Sequence, residues 1–303
     1  MKQLLERCID ECKPYTEGGR VANYIPELAK ADKSRLGIAA MTADRHDASG
    51  DADVKFTMQS VVKPMILLLA LMDCGREKVE SLVGVEATGK PFDAFNYSDR
   101  ALTGEHINPM INAGAIALCT LVSGADSREK FTRLLALTRK MAANDTLEVD
   151  EAVYLSESAT GSKNRALAYM LKAYGMIDCE IEPILEMYFK ACSISVTAKD
   201  LARIAYVLSR HGVDEKGVRI VDEDHARYVN AILAICGMYD GSGEFALRVG
   251  VPAKSGVGGG IMAVVPGKMG IGIYSPSLDK KGNSIAGVKA LELLSRELGL
   301  SIF

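Results

Sequence analysis

The spacing of apolar residues in the first part of the chain predicts a helix followed by strands. Apolar positions recur at helical intervals over residues 4–12 and stop before Pro14, which predicts an amphipathic helix. Apolar stretches then cover residues 35–43 and 54–58, on either side of a polar cluster at residues 46–51. Because clusters of Asp, Ser and Gly are typical of turns, we expect two antiparallel strands joined by a hairpin turn in that cluster.

The C-terminal part of the chain shows a second hairpin pattern. Residues 261–265 and 270–274 are apolar and flank Pro266-Gly267, a pair that type II turns prefer, so they predict two paired strands. A last helix is expected to pack on the sheet through one apolar stripe, formed by Val288, Leu291, Leu294 and Leu298.

The middle of the chain differs from both ends. Residues 111–209 are rich in Ala and Leu, and Thr197 and Asp200 have the spacing of a capping box that opens a helix. The expected fold class is α/β, with an antiparallel sheet flanked by helices and an inserted all-helical lobe. We expect one unit over residues 1–303, with a sheet lobe of residues 1–62 and 206–303 and a helical lobe of residues 63–205.

Composition and charge argue against two classes of protein, disordered proteins and nucleic-acid-binding proteins. With 48% apolar and 25% charged residues, the chain has the composition of a globular protein rather than a disordered one. The 36 Lys and Arg against 39 Asp and Glu give a net charge of −3. A nucleic-acid-binding protein normally has a basic excess, so we expect no nucleic acid partner.

Several features bear on the cellular compartment. The N-terminal segment carries acidic residues among its apolar ones, unlike a signal peptide. The longest apolar run, residues 65–72, is far shorter than the roughly 20 residues that cross a bilayer. Seven cysteines without a C-x-x-C pair predict reduced, buried thiols. We therefore expect a cytoplasmic protein with no membrane segment.

The pattern S-x-x-K occurs at Ser60, Ser127 and Ser277, but only the first copy lies in an apolar segment. Burial disfavours the charged ammonium of Lys63 and lowers the pKa of a lysine, and a neutral amine is a general base. Pro64 requires the helix to begin near Ser60, which places the hydroxyl at the positive helix end. This predicts a serine nucleophile activated by lysine. The alternative is a capping serine beside a lysine that extends to solvent.

Other motifs carry less chemical information. The four histidines lie in polar surroundings, so a Ser-His-Asp triad is unsupported though not excluded, and no Cys or His spacing suggests a metal or cofactor site. Asp47, Asp51 and Asp53 fit a solvated turn better than a calcium loop. Lys254-Ser255-Gly256 resembles the K-T-G element of acyl-serine sites, and the glycines that follow permit close approach of backbone to a ligand. They are equally compatible with a β-bulge or a tight corner of the sheet.

Taken with these motifs, the chain resembles the serine-dependent glutaminases, which are related in fold to serine β-lactamases and penicillin-binding proteins. Ala87-Thr88 stands where Pro-Ser is expected in such enzymes, and Glu105-His106 where Lys-Pro is common. The resemblance rests on seven ordered blocks: Tyr24-Ile-Pro-Glu-Leu, Gln59-Ser60-Val-Val-Lys63-Pro, Asn108-Pro-Met-Ile-Asn112-Ala-Gly-Ala-Ile, Ser156-Glu157 with Asn164-Arg-Ala-Leu-Ala, Tyr188-Phe-x-x-Cys-Ser-Ile, Met238-Tyr239-Asp, and Lys254-Ser-Gly-Val257-Gly-Gly-Gly-Ile.

The resemblance implies a β-lactamase/transpeptidase-like fold and hydrolysis of L-glutamine to glutamate and ammonia through a γ-glutamyl-serine intermediate, without a cofactor. It also implies a homodimer or homotetramer. The roles that it implies are Ser60 as nucleophile, Lys63 as base, Tyr188 as proton relay, the amides of Ser60 and Val257 as oxyanion hole, Glu157 for the α-ammonium, Asn112, Asn164 and Tyr24 for the α-carboxylate, and Tyr239 as pocket wall.

Two other functions stay open at this point. A β-lactamase-like acyl-serine hydrolase could share the fold, although such enzymes act outside the cytoplasm. A catalytically silent glutamine sensor could keep the pocket without the reaction.

Overall fold

The computed structural model describes residues 1–89 and 107–303, so Glu105 and His106 lie outside the described residues. Its strands are β1 Gly37–Met41, β2 His46–Gly50, β3 Phe56–Thr57, β4 Ser195–Val196, β5 Ala253–Ser255, β6 Gly260–Val265 and β7 Met269–Tyr274. Its helices are α1 Lys2–Cys12, α2 Lys63–Glu80, α3 Asn112–Leu121, α4 Ser127–Ala142, α5 Glu151–Thr160, α6 Ser162–Ala173, α7 Ile181–Cys192, α8 Ala198–Ser209, α9 Glu223–Cys236, α10 Ser242–Arg248 and α11 Ile285–Leu298.

The main sheet joins strands from both ends of the described chain. Its order is β2-β1-β7-β6-β5 and its neighbouring strands pair antiparallel, while β3 and β4 form a separate short pair. The second predicted hairpin is confirmed, since β6 and β7 pair from Val265↔Met269 outward around Pro266-Gly267.

In the first predicted hairpin, the position of the turn is wrong. The polar segment that we expected to be the turn is strand β2, which pairs with β1, and the reversal lies at residues 42–45. The stretch expected as the second strand supplies β3, which pairs instead with β4. The side chains of β2 are exposed or half-buried, as expected for a polar strand at the edge of a sheet. The prediction failed because it relied on alternating apolar residues, which β2 lacks.

Alternating side chains divide the sheet into two buried faces. Ile38 and Ala40 of β1 belong to the apolar core that contains α1 and α11, whereas Ala39 and Met41 belong to the core on the other side. This two-residue period is the geometry of a pleated strand. The predicted packing of the last helix on the sheet is therefore confirmed.

The opposite face of the sheet is covered by α8 at unusually short range. A Cβ atom placed on Gly270 would lie 2.1 Å from the carbonyl oxygen of Ala202, and one on Gly272 would lie 2.0 Å from that of Ala198. Glycine at alternate positions of β7 is what allows the helix backbone to rest on the strand backbone. Thr197 caps α8 in the predicted capping box with Asp200.

Helices α2 to α7 form the part of the described chain that was predicted to be a helical lobe. Helix α8 crosses the expected lobe boundary at residues 205/206, and the division into two lobes stays a prediction. The described cysteines are all free thiols. No described helix is long and apolar enough to span a membrane.

Candidate active site

The Ser60 segment begins a long buried helix, as the position of Pro64 predicts. Residues Gln59–Val62 form a single 3-10 turn that leads directly into α2 at Lys63, with Pro64 in the first turn where its missing N–H costs nothing. Ser60 is 6% exposed and Lys63 is fully buried. The arrangement holds a hydroxyl and an amine one helical turn apart, in surroundings that exclude most water.

Ser60 opens into a cavity of about 640 Å³ between the sheet and the helices. Two of the nine residues predicted for the site, Lys63 and Tyr239, are buried and absent from the lining. The other seven all line the cavity: Tyr24, Ser60, Asn112, Glu157, Asn164, Tyr188 and Val257.

Lys63 is tied to the cavity wall through two amide side chains. Its Nζ lies 2.7 Å from Oδ1 of Asn112, and Nδ2 of Asn112 lies 2.9 Å from Oδ1 of Asn164. Lys63 donates to Asn112, which donates to Asn164, so each asparagine accepts through its oxygen and is free to donate through its nitrogen. The NH2 group of Asn164 is thereby kept as a donor, the property that recognition of a carboxylate requires.

Glu157 places an acidic group in the same cavity. Its side chain is 5% exposed, and its Oε2 is buried without a hydrogen bond to any described residue. Burial raises the pKa of Glu157 to about 8, while the Gln59 side chain and the charge of Lys63 oppose that rise. A buried carboxylate oxygen of this kind is stabilised by a cation, such as an ammonium group of a ligand.

The hydroxyl of Tyr239 lies close to Ser60 and to Val257 in the loop between β5 and β6. Burial raises its pKa, and the neighbouring Ser60 side chain and Val257 backbone N–H oppose that rise. Tyr239 has a φ of 56°, in the left-handed region that non-glycine residues rarely adopt. The strained backbone therefore coincides with the placement of a side chain beside Ser60, and such strain is common at functional sites.

The loop between β5 and β6 brings Val257 to Ser60 because its glycines leave room for backbone contact. A Cβ on Gly256 would lie 2.7 Å from the Met58 carbonyl oxygen, and one on Gly258 would lie 2.6 Å from that of Thr57. Of the two explanations for this glycine run, close backbone approach is therefore the one that the geometry supports.

Lys254, on strand β5 just before the same loop, packs against the ring of Tyr239. Its fully buried Nζ donates to the carbonyls of Gly237 at 3.1 Å and Ser255 at 2.6 Å and lies 4.3 Å from the centroid of the Tyr239 ring. Burial, reinforced by the charge of Lys63, lowers the pKa of Lys254 well below its ordinary value. Lys254 thus joins the strand that leads into this loop to the segment that carries Tyr239.

Tyr188 lies deeper in the cavity than its predicted role requires. It is 2% exposed, and its hydroxyl contacts the Cys192 thiol one turn later on α7. Burial, with the nearby Cys192, raises the pKa of Tyr188 well above its ordinary value. The hydroxyl that lies close to Ser60 is that of Tyr239, so the relay role of Tyr188 stays a prediction.

Gln59 and Cys192 are among the cavity residues that had no role in the predicted site. Gln59 lies beside Glu157 and Ser60, and Cys192 lies beside Tyr188. Both stand inside the sequence blocks that carry the resemblance, which was the available signal. Tyr24, by contrast, lines the mouth and is 54% exposed. Within residues 1–89 and 107–303, no three His, Cys, Asp or Glu side chains group as metal ligands would.

Comparison with known proteins identifies the family. The profile of the glutaminase family matches residues 19–303. A glutaminase of Clostridium tetani is 51% identical over 305 residues, covering 100% of both chains. Glutaminase 2 of Clostridium perfringens is 50% identical with the same coverage. The chain belongs to the glutaminase family.

Solved structures of glutaminases confirm the fold. A Bacillus subtilis glutaminase, in a covalent complex formed by its reaction with 6-diazo-5-oxo-L-norleucine, superposes with a TM-score of 0.91 at 36% identity, covering 100% of this chain and 99% of that one. The predicted α/β, β-lactamase/transpeptidase-like architecture is therefore confirmed. The departure from the glutaminase pattern at Ala87-Thr88 falls in an irregular segment where Ala87 is exposed, and neither residue lines the cavity.

Proposed function

We propose that this protein hydrolyses the side-chain amide of L-glutamine through a covalent γ-glutamyl ester on Ser60. The observation that carries the proposal is the shared cavity. Ser60, next to the buried Lys63, shares the cavity with the buried carboxylate of Glu157 and with the amide donor of Asn164. Membership of the glutaminase family and the covalent complex of the Bacillus subtilis relative support the same reaction.

Substrate recognition follows from the charges of the amino acid. Glu157, when ionised, pairs with the α-ammonium group and thereby recovers the energy lost by its burial. The NH2 group of Asn164, together with Asn112 and Tyr24 at the mouth, donates to the α-carboxylate. The γ-amide then points toward Ser60.

Acylation begins when the neutral amine of Lys63 accepts the Ser60 proton while Oγ attacks the amide carbon. The N–H groups of Ser60 and Val257 stabilise the oxyanion. The C–N bond then breaks, and the leaving nitrogen takes up a proton, relayed by Tyr188, and departs as ammonia. Water, deprotonated by the same amine, hydrolyses the ester to glutamate and restores Ser60.

The Tyr239 contact adds a step to this scheme. In the free site the Tyr239 hydroxyl lies near the Val257 N–H and the Ser60 side chain. The substrate carbonyl oxygen must therefore bind beside the Tyr239 hydroxyl to reach the Val257 N–H. Tyr239 thus holds the nucleophile and one oxyanion donor in register before substrate arrives.

The test is detection of the acyl-enzyme. Acid quench of the protein during turnover of L-glutamine should yield a peptide containing Ser60 that carries one γ-glutamyl group, and Ser60→Ala should yield none. A γ-glutamyl group on another residue would disprove the mechanism. Saturable binding of glutamine without ammonia release would favour the silent sensor, and turnover of a chromogenic β-lactam alone would favour the β-lactamase-like alternative.

We further propose that the protein works in the cytoplasm as a homodimer or homotetramer, and without nucleic acid or membrane. These proposals rest on the sequence features and on the family, and sedimentation of the purified protein tests the assembly.

A further inference from the structure

The backbone of Tyr239 has a conformation that a large side chain disfavours. Its φ is 56°, in the left-handed region, where a bulky residue is an outlier. The residue opens a short 3-10 turn, Tyr239–Gly241, that leads directly into α10. Such a conformation persists only where the surroundings fix it. The contacts that fix this turn therefore help to place the Tyr239 side chain.

The hydroxyl of Ser242 bonds the backbone on both sides of the left-handed residue. It donates to the carbonyl of Tyr239 at 2.9 Å and accepts from the N–H of Met238 at 3.1 Å. The backbone N–H of Ser242 donates to the same carbonyl, so the special contribution of the hydroxyl is the bridge to Met238. Met238 and Ser242 are both buried, and a buried N–H that loses its acceptor is costly. The turn should therefore shift when this hydroxyl is removed.

The carbonyl of Met238 is held from another side. It accepts from the N–H of Gly241 at 3.0 Å and from Nδ2 of Asn283 at 3.3 Å. A Cβ on Gly241 would lie 3.1 Å from the same Nδ2, so the turn packs closely on this amide. Asn283 and Ser242 thus hold the carbonyl and the N–H of one residue, and Ser242 alone of these two also reaches the carbonyl of Tyr239.

The ring of Tyr239 extends from this turn to the loop between β5 and β6. The ring is buried and packs in one apolar cluster with Val257 and Leu278. Nζ of Lys254 lies 4.3 Å from the ring centroid. Val257 lines the same cavity as Ser60. A shift of the turn would therefore move a side chain that packs directly on Val257.

We infer that Ser242 is a positioning residue for the reaction at Ser60, because its hydroxyl holds the left-handed backbone that places the Tyr239 ring against Val257. The inference rests on the proposed function, in which the Val257 N–H stabilises the oxyanion. Ser242 does not line the cavity, so its side chain is not expected to touch the substrate. Removing the hydroxyl should slow the chemical step and leave substrate binding nearly unchanged.

The experiment compares Ser242→Ala with Ser209→Ala. Ser209 is fully buried, and its hydroxyl also donates to the carbonyl of a tyrosine three residues earlier, at 2.7 Å. That tyrosine, Tyr206, lies inside α8, so this bond supports an ordinary helical backbone. Ser242→Thr keeps the hydroxyl and tests for rescue. Steady-state kinetics with L-glutamine gives kcat and KM, and thermal unfolding verifies that each variant is folded.

Ser242→Ala should lower kcat about 10-fold, equivalent to about 1.4 kcal/mol, and change KM less than about twofold. Ser242→Thr should keep kcat within about threefold of the wild type, and Ser209→Ala should lower the unfolding temperature without lowering kcat. A folded Ser242→Ala with the kcat of the wild type would overturn the inference. Equal losses of kcat in Ser242→Ala and Ser242→Thr, or in Ser242→Ala and Ser209→Ala, would overturn it as well.

A double-variant cycle separates this inference from the proposed function. Tyr239→Ala removes the ring and should itself lower kcat, and adding Ser242→Ala should then change kcat less than about twofold, since both act through one side chain. A further 10-fold loss, or about that, would show that Ser242 acts independently of Tyr239, and would overturn the inference alone. A wild-type kcat in Tyr239→Ala would instead overturn the part of Tyr239 in the proposed function, and the inference with it.

Discussion

Nζ of Lys63 lies 2.7 Å from Oδ1 of Asn112, inside a wall that buries the lysine completely. The hydrogen bond holds the amine in one position, and its neutral form keeps a lone pair for a second partner. Asn112 in turn donates to Asn164, so Lys63 and Asn164, for which we propose the roles of base and carboxylate ligand, belong to one chain of hydrogen bonds. A change at Asn112 should therefore affect both chemistry and binding.

Asn112→Leu should lower kcat about 100-fold, because the amine loses its fixed position, and should also raise KM. Steady-state kinetics with L-glutamine measures both. Asn230→Leu is a matched control, since Asn230 is another buried asparagine, which donates at 3.0 Å to the carbonyl of Leu208. It should lower stability without lowering kcat. Equal kcat values in the two variants would contradict the role of Asn112.

The two buried tyrosines should differ in their dependence on the leaving group. Tyr188→Phe should slow amide hydrolysis about 100-fold, because ammonia must be protonated to leave, but should hardly slow hydrolysis of a γ-(para-nitrophenyl) ester, whose leaving group departs as an anion. Tyr239→Phe should slow both substrates, because the Tyr239 hydroxyl lies close to Ser60 and Val257. The relay belongs to Tyr239 if only that variant distinguishes the two leaving groups.

We expect the buried Glu157 carboxylate to lower the stability of the ligand-free protein. Burial raises its pKa from 4.5 to about 8, so the folded state holds the proton more tightly than the unfolded state. The free energy of unfolding should then fall as the pH rises from about 4.5 to about 8. Glu157→Gln should lack this decrease.

At pH 8, Glu157→Gln should exceed the wild type in unfolding free energy by at least about 1.4 kcal/mol, the value of one pKa unit. Urea denaturation at pH 5 and pH 8 without glutamine measures the difference. The same substitution should raise KM strongly. A variant that is less stable than the wild type at both pH values would show that Glu157 is not strained by burial.

The glycine loop should tolerate no side chain at Gly258. A methyl group there would meet the Thr57 carbonyl at 2.6 Å and move the Val257 amide away from Ser60. Gly258→Ala should reduce kcat about 100-fold, comparable to loss of an oxyanion-hole donor. Gly243→Ala on α10, where a Cβ meets nothing within 4 Å, should leave kcat unchanged. Wild-type kcat in Gly258→Ala would argue against the placement of the oxyanion hole.

Much of the fold follows from local signals in the sequence. The capping box at Thr197 and the Pro266-Gly267 turn predict their elements because both act within a few residues. Strand β2 was missed because its polar residues are stabilised by pairing with β1, a contact between segments that periodicity does not register.

Of the candidate site, too, only part could be predicted from local signals in the sequence. The buried serine-lysine pair could be predicted from an apolar segment interrupted by Lys63, together with the position of Pro64. The hydrogen bonds of Asn112 join residues far apart in the chain, so local reasoning could name this residue only through the family pattern. The position of Tyr239 close to Ser60 depends on a left-handed backbone that no local motif predicts.

The most direct test of the account is ammonia release from L-glutamine by Ser60→Ala, measured beside the wild type under identical conditions. The account predicts release by the wild type and none above background by the variant, with unfolding temperatures that agree. Undiminished release by Ser60→Ala would contradict the assignment of Ser60 as the nucleophile.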